Sequence, residues 1–252
     1  MATSERSAST AEIMITAIAA MLQDLGHVAV GARSPIPGSA AHLARIRSGG
    51  RLRISIQGSR ENAPFTDGGR ELFDCAGQGR IDAFFLSGGQ IDGGANVNLV
   101  GVGDVAHYPQ AQARFPGSFG SAYLYFVVPR VILFHHEHTP RTLVRKVDFV
   151  SAPGTSPPDV YRPGGPYALV TSLGVFRFDR PRARFSLSST HPAVTPDQIR
   201  EATGFAYDEA PNVPTSEIPD AGTLTLLRTE VARAVAHTYP TFARNEWGIG
   251  AS

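Results

Sequence analysis

Ala83-Phe-Phe-Leu-Ser-Gly-Gly-Gln-Ile-Asp92 holds the reading that decides the fold. Four apolar residues in a row, Ala83 to Leu86, leave no polar face, so they predict a short strand buried on both sides. Strands of that kind belong to sheets covered by helices. The two glycines that follow, Gly88 and Gly89, let the backbone turn sharply or approach a ligand where the strand ends. In open α/β sheets that edge is where ligands bind.

The neighbouring sequence repeats the pattern. Upstream, His27–Val30 and the alternating Leu52–Ile56 predict two more strands. Downstream, Val127–Phe134 predicts a strand interrupted by Pro129, and Lys146–Val150 and Ala168–Thr171 predict two others. Val175–Phe178 and Phe185–Leu187, joined by a charged turn, predict an antiparallel pair. Helical spacing marks Ala11–Leu25, with Ser9 or Thr10 as its cap, Glu12 in its first turn, and Ile13, Ala17, Ala20 and Met21 on one face. Gly26 stops it. Ser39–Arg47, Glu71–Gln78, Pro196–Ala202 and Leu224–Ala236 predict four more helices, and residues 207–222 a loop. Residues 1–10 are expected to be a flexible tail and 11–252 a single domain. Strands alternating with helices imply an α/β fold.

The chain has 252 residues, 42% hydrophobic and only 18% charged. The low charge argues against disorder and suggests that some surface is covered by a partner. Its 23 basic and 22 acidic residues, a net charge of +1, give no electrostatic case for nucleic acid or an anionic membrane. The single cysteine, Cys75, excludes an intramolecular disulfide and a cysteine-cluster metal site. It reads as a structural thiol in a helix. With no basic-apolar leader pattern and no long apolar helix, the expectation is a cytoplasmic protein.

Several groups invite a chemical reading. Gly31, Gly88-Gly89, Gly93-Gly94, Gly117 and Gly120 cluster near strand ends, either as substrate-facing turns or as plain tight turns. No dinucleotide or P-loop glycine pattern is present. His135, His136 and His138 form an HHEH group after an apolar strand. Strand alternation would put His136 and His138 on one face, but no third ligand is evident, and a polar strand end is the favoured reading. Glu61, on the loop beyond Leu52–Ile56, stands where a carboxylate nucleophile could sit, or is a solvated acid.

Taken in order, six stretches resemble the β-type subunit of the family I CoA-transferases, in particular the glutaconate branch. They are Gly31-Ala-Arg-Ser-Pro35, Gly88-Gly-Gln-Ile-Asp92 with Asn96-Val-Asn98, and Pro116-Gly-Ser-Phe-Gly-Ser121. The remaining three are Lys146-Val-Asp-Phe-Val-Ser-Ala-Pro-Gly154, Val170-Thr-Ser-Leu-Gly-Val-Phe176, and His191-Pro-Ala-Val-Thr195 with Thr203-Gly-Phe205. The resemblance implies an open, mostly parallel α/β sheet flanked by helices, the CoA-transferase fold. It also implies a homologous α-type partner subunit, with a homo-oligomer as the other assembly. Coenzyme A enters as a substrate, and no metal or organic cofactor is implied.

In the family a glutamate attacks an acyl-CoA thioester to give a mixed anhydride. Released CoA thiolate then converts this to a glutamyl-CoA thioester, and a second acid takes the CoA. The resemblance gives Gly31, Gly89, Gln90, Asn96, Asn98, Gly117, Ser118 and Phe119 substrate-facing positions and makes Gly120 an oxyanion donor. The nucleophile normally follows the strand assigned to Leu52–Ile56. Here one alignment puts Gln57 at that position and another puts Glu61. An amide cannot form the anhydride. The segment from there to Asp82 is shorter than in the family pattern, Ala95 replaces a glycine, and Phe119 replaces another. These departures keep two alternatives open: an acyl-CoA hydrolase, including one that opens the ring of a cyclic β-keto-acyl-CoA, and a non-catalytic partner of an α-type subunit.

Overall fold

The computed structural model describes residues 7–65, 67, 69–104 and 110–250. Its centre is an eight-stranded sheet. In chain order the strands are β1 (His27–Val30), β2 (Arg53–Ile56), β3 (Ala83–Leu86), β8 (Arg130–His135), β9 (Pro166–Thr171), β10 (Gly174–Asp179), β11 (Arg184–Thr190) and β12 (Asp208–Glu209). Their order across the sheet is β12-β11-β10-β9-β8-β3-β1-β2. The five strands from β2 to β9 run parallel, and β10 is antiparallel to both β9 and β11. Two small antiparallel pairs stand outside it, β4 (Gln90–Ile91) with β5 (Val97–Asn98) and β6 (Gly101–Val102) with β7 (Ala113–Arg114).

Strand alternation divides the core between the two faces of the sheet. Val28, Val30, Phe85 and Ile132 face one layer, formed by α1 (Thr10–Ala20), α2 (Pro35–Arg47) and the C-terminal helices. Ala29, Phe84, Leu86, Val131 and Leu133 face the other, formed by α3 (Gly69–Gly77), α4 (Ser121–Val127), α5 (Pro196–Ala202) and the β4–β5 hairpin. All four residues of β3 are buried, as an uninterrupted apolar run requires.

Several elements differ from the sequence expectation, each for a local reason. The first helix ends at Ala20, with turns to Asp24 rather than helix to Leu25. The second begins at Pro35, not Ser39, because proline at the first position sacrifices only an amide that has no helical partner. Pro129 is the boundary between α4 and β8: Val127 ends the helix and Val128 is extended, so the apolar run 127–134 splits there. Lys146–Val150 is not a strand. Its amides at Val147 and Asp148 donate to the Asp92 and Gln90 side chains instead of a neighbouring strand, and Phe149 and Val150 are exposed. Residues 207–222 include β12 and a bridge from Thr215 to Thr190. The closing helix is α6 (Ala221–Leu226), a π-helical turn (Leu227–Val231) and α7 (Ala232–Ala236). A further helix, α8 (Pro240–Trp247), again starts on a proline and ends at Gly248 with φ 71°.

Among the described residues no helix is long and apolar enough to cross a membrane.

Candidate functional site

The chain enters the sheet at β1, adds β2 on one side, then crosses back to add β3 on the other. The strand order therefore reverses between β1 and β3, the point at whose carboxyl ends an open α/β sheet forms its ligand crevice. Gly31 follows β1 there, Gln57 follows β2, Ser87-Gly88-Gly89 follow β3, and His135 ends β8. α3 and α4 lead into β3 and β8 from the opposite direction, so their first residues lie at this same edge.

The Gly88-Gly89 turn is locked against the β4–β5 hairpin. The Gly89 amide donates to the Asn98 carbonyl at 2.9 Å. A Cβ on Gly88 would lie 2.5 Å from Val97 and 2.8 Å from the Asn98 carbonyl oxygen, so only glycine allows the approach. Gln90, Asn96 and Asn98 all turn inward. The Asn98 side chain, fully buried, donates to Gln90 Oε1 and the Gly101 carbonyl and accepts from the Val100 and Gly101 amides. Gln90 Nε2 donates to Asp148. Asn96 donates to both oxygens of Asp92 and accepts from the Gly154 amide. These three amide side chains hold the loop in shape.

The Pro116–Ser121 turn closes the crevice from the α4 side. The Gly117 amide donates to the Leu99 carbonyl at 3.0 Å. Gly120 immediately precedes α4, and the Ser118 carbonyl accepts the Ser121 amide. Both positions where the sequence departs from the family glycine keep a left-handed backbone: φ is 58° at Ala95 and 43° at Phe119. A side chain there costs roughly 1–2 kcal/mol relative to glycine.

Gln57 and Glu61 are separated. The Gln57 amide donates to the Val30 carbonyl at 3.0 Å, extending the ladder to the crevice. The loop then turns back along β2. The Ile56 amide donates to the Asn62 carbonyl at 2.6 Å, and Arg45 donates to the Asn62 side chain at 3.0 Å. Glu61 is exposed and lines a surface recess with Arg45, Arg51, Arg53 and Asn62 at the outer edge of β2.

The three histidines of HHEH go separate ways, because β8 ends at His135 and the next residues turn. His135 is half-buried, with Nδ1 2.8 Å from the Glu137 carbonyl oxygen; burial lowers its pKa despite that contact. His136 is exposed. His138 is buried between Thr171 Oγ1 at 2.7 Å and Thr203 Oγ1 at 2.9 Å, with Phe176 beside it. Glu137 is held by Thr139 and by two bonds from Arg141. Among the described residues no three His, Cys, Asp or Glu side chains converge. That β3 and β8 pair, bringing His135 to the same sheet edge as the Gly88 turn, was not legible in the sequence, since no local signal joins the ends of the two strands.

Burial, reinforced by the charges of His135 and His191, pushes His138 down to about 4. Its unfolded value is near 6.5, so the unfolded state binds more protons between these limits. The stability from a neutral His138 is complete above about pH 6.5 and is lost as pH falls toward about 4. We expect acid unfolding to steepen in that window, by up to about 3 kcal/mol from this group. His138→Gln should flatten the dependence in urea titrations at pH 7, 6 and 5. An unchanged slope would assign the acid sensitivity elsewhere, first to His42, which burial also lowers to about 4.

Residues 13–202 match the coenzyme A transferase family. The chain belongs to that family. It is 30% identical over 254 residues to the B-type subunit of the 3-oxoadipate CoA-transferase of Pseudomonas knackmussii, covering 90% of this chain and 95% of that protein. It is 34% identical over 154 residues to the B-type subunit of the glutaconate CoA-transferase of Acidaminococcus fermentans; that match spans 58% of this chain but only 56% of the relative's own length. The cholesterol ring-cleaving hydrolase IpdB subunit of Rhodococcus jostii is 30% identical over 140 residues, 54% of this chain and 53% of that protein. The crystal structure of R. jostii IpdAB superposes with a TM-score of 0.77 at 25% identity, covering 89% of this chain and 94% of that one. The relatives of this coenzyme A transferase chain are thus B-type subunits, and the open α/β sheet is the fold they share.

Proposed function

We propose that this chain is the β-type subunit of a CoA-transferase that moves CoA between an acyl-CoA and a carboxylic acid, in partnership with a homologous α-type subunit. One observation carries the reading: Gly31, Gly88-Gly89 and the Pro116–Ser121 turn, scattered in sequence, meet at the carboxyl edge where the strand order reverses. The acyl thioester belongs in that crevice. The amides of Phe119 and Gly120 are the donors assigned to the tetrahedral oxyanion, since the Gly117 amide is given to Leu99. Gln90, Asn96 and Asn98 are positioning residues that keep the glycine turns aligned.

Glu61 is the nucleophile in this reading, which requires the loop Gln57–Asn62 to carry it from the outer edge of β2 to the crevice. It is the one carboxylate in the loop Gln57-Gly-Ser-Arg-Glu-Asn62. Its oxygen attacks the thioester carbonyl and CoA thiolate leaves. The thiolate then attacks the glutamyl carbonyl of the anhydride, expelling the first acid as carboxylate and leaving CoA on Glu61. The acceptor carboxylate reverses these steps.

A second reading, acyl-CoA hydrolysis, is favoured by a specific feature: an amide, Gln57, occupies the end of β2, while Glu61 lies back along the strand. In that case a carboxylate acts as a base on water. Incubating the assembled enzyme with acyl-CoA, reducing with borohydride and mapping peptides by mass separates the two. Conversion of Glu61 to its alcohol is expected for a transferase. An unmodified Glu61 with release of free CoA, or with a ring-opened product, would overturn the transferase reading in favour of the hydrolase.

A further inference from the structure

Phe119 is the most exposed large apolar side chain at the crevice, with 86% of its surface accessible. It is also one of five non-glycine residues with positive φ among the described residues. Exposure of a phenylalanine loses the benefit of burying it, and its backbone angle adds strain. Neither cost serves the fold.

The surroundings of the ring are nonetheless built for it. Phe73 of α3 lies 5.6 Å away, centroid to centroid, and Tyr123 of α4 lies 5.9 Å from Phe73 in an edge-on arrangement. Two glycines make the room. A Cβ on Gly69 would stand 2.9 Å from the Phe119 ring, and one on Gly120 would stand 2.0 Å from Phe73. Tyr123 is itself 44% accessible. The result is a ledge of three rings, open in front at the starts of α3 and α4, where Phe119 stands, and running along α3 through Phe73 to Tyr123, whose hydroxyl faces Gly77 at that helix's end. Both starts lie at the carboxyl edge of the sheet, and Phe119 is one residue from the proposed oxyanion donor Gly120.

We propose that Phe119, backed by Phe73 and Tyr123, is a specificity-determining residue that selects an acyl group with a flat or cyclic apolar body. Aromatic faces stack on such a group, whereas a short linear acyl chain covers little of the ledge. The proposal rests on the crevice being the acyl site, as proposed above, and adds the substrate class.

The test compares Phe119→Gly with the unaltered enzyme, each as the assembled complex. Benzoyl-CoA and acetyl-CoA serve as probes, and kcat and KM are measured separately for each. Glycine accepts the left-handed backbone, so the thermal midpoint is expected to stay level or rise. The benzoyl-over-acetyl preference in kcat/KM is expected to fall about tenfold, the size of one well-stacked ring pair, chiefly through a higher KM for benzoyl-CoA. The preference in Phe73→Leu should fall in the same direction. A variant that folds, assembles and keeps the full preference would overturn the proposal while leaving the transferase reading intact. So would a variant that folds but no longer assembles with the partner, which would make the ledge a subunit contact. If the unaltered complex processes neither probe nor any other acyl-CoA, the crevice reading fails, and this proposal fails with it.

Discussion

Glu61→Ala is expected to lower CoA transfer by about ten-thousandfold, while Gln57→Ala keeps a measurable share of it. Removing the group that forms the covalent intermediate leaves only binding and oxyanion stabilisation, which is why nucleophile deletions are so costly. Gln57 carries no charge and cannot form an anhydride, so its loss acts only through local packing. Single-turnover assays of CoA transfer in the two variants check this. The loop geometry sharpens the test. Glu61 is held beside β2 because Asn62 is tied to Ile56, to Ser59 Oγ and to Arg45. Gln57, by contrast, sits at the crevice. Full transfer in Glu61→Ala would remove Glu61 from the mechanism. Recovery of transfer in the double variant Glu61→Ala, Gln57→Glu would show that the end of β2 is the site from which a carboxylate reaches the thioester.

The largest expected effect on stability comes from Glu12. Its side chain is fully buried. Arg228 donates to both carboxylate oxygens, at 2.8 and 2.9 Å, Trp247 Nε1 donates at 3.2 Å and the Ser9 amide at 2.9 Å. Ser9 also donates to Glu246, and Arg228 donates to the Ser7 carbonyl. One carboxylate thereby joins α1 to the π-helical turn that carries Arg228 and to α8. Burial by itself pushes the Glu12 carboxyl up, but its bonds with Arg228, Ser9 and Trp247 hold it below the ordinary range. The stability it contributes is therefore present above the unfolded carboxylate pKa and is lost as pH falls through the lowered value.

Glu12→Ala removes the carboxylate that accepts two bonds from Arg228, leaving that guanidinium with only the Ser7 carbonyl, the nearby Glu246 and its partial exposure to offset its charge. The expected cost is about 3–5 kcal/mol, a fall of roughly 10 °C in thermal midpoint for a chain of this length. Replacing the pair together, Glu12→Leu with Arg228→Met, should restore most of the loss, because the penalty lies in the orphaned charge more than in the absent attraction. Urea denaturation of the single and double variants checks this. A loss below about 1 kcal/mol in Glu12→Ala would mean that water solvates Arg228 in the variant.

By itself the sequence determined the layered α/β architecture, because the uninterrupted apolar run Ala83–Leu86 predicts a strand covered on both faces among alternating strands and helices, and it and His27–Val30 have the expected bounds. It also determined the family, since the glycine-rich turns keep their order along the chain. Pro196–Ala202 has the expected bounds, and its start is held by the Thr195 cap and first-turn Asp197. Alternation alone misread Lys146–Val150, because its amides are satisfied by side chains more than fifty residues away.

The tertiary structure decided the rest. First-turn Glu12 read as a dipole-matched acid, yet its partners Arg228 and Trp247 come from the far end of the chain. Sequence spacing put His136 and His138 on one face, but only the end of β8 at His135 sends one to solvent and the other between Thr171 and Thr203. The separation of Gln57 from Glu61 depends on a loop folding back onto an edge strand. The aromatic ledge depends on α3 and α4 meeting with Gly69 and Gly120 at the contact. Local propensity and periodicity are fixed by neighbours within a few residues. These features come from contacts between elements distant in sequence, whose geometry exists only once the sheet has ordered them.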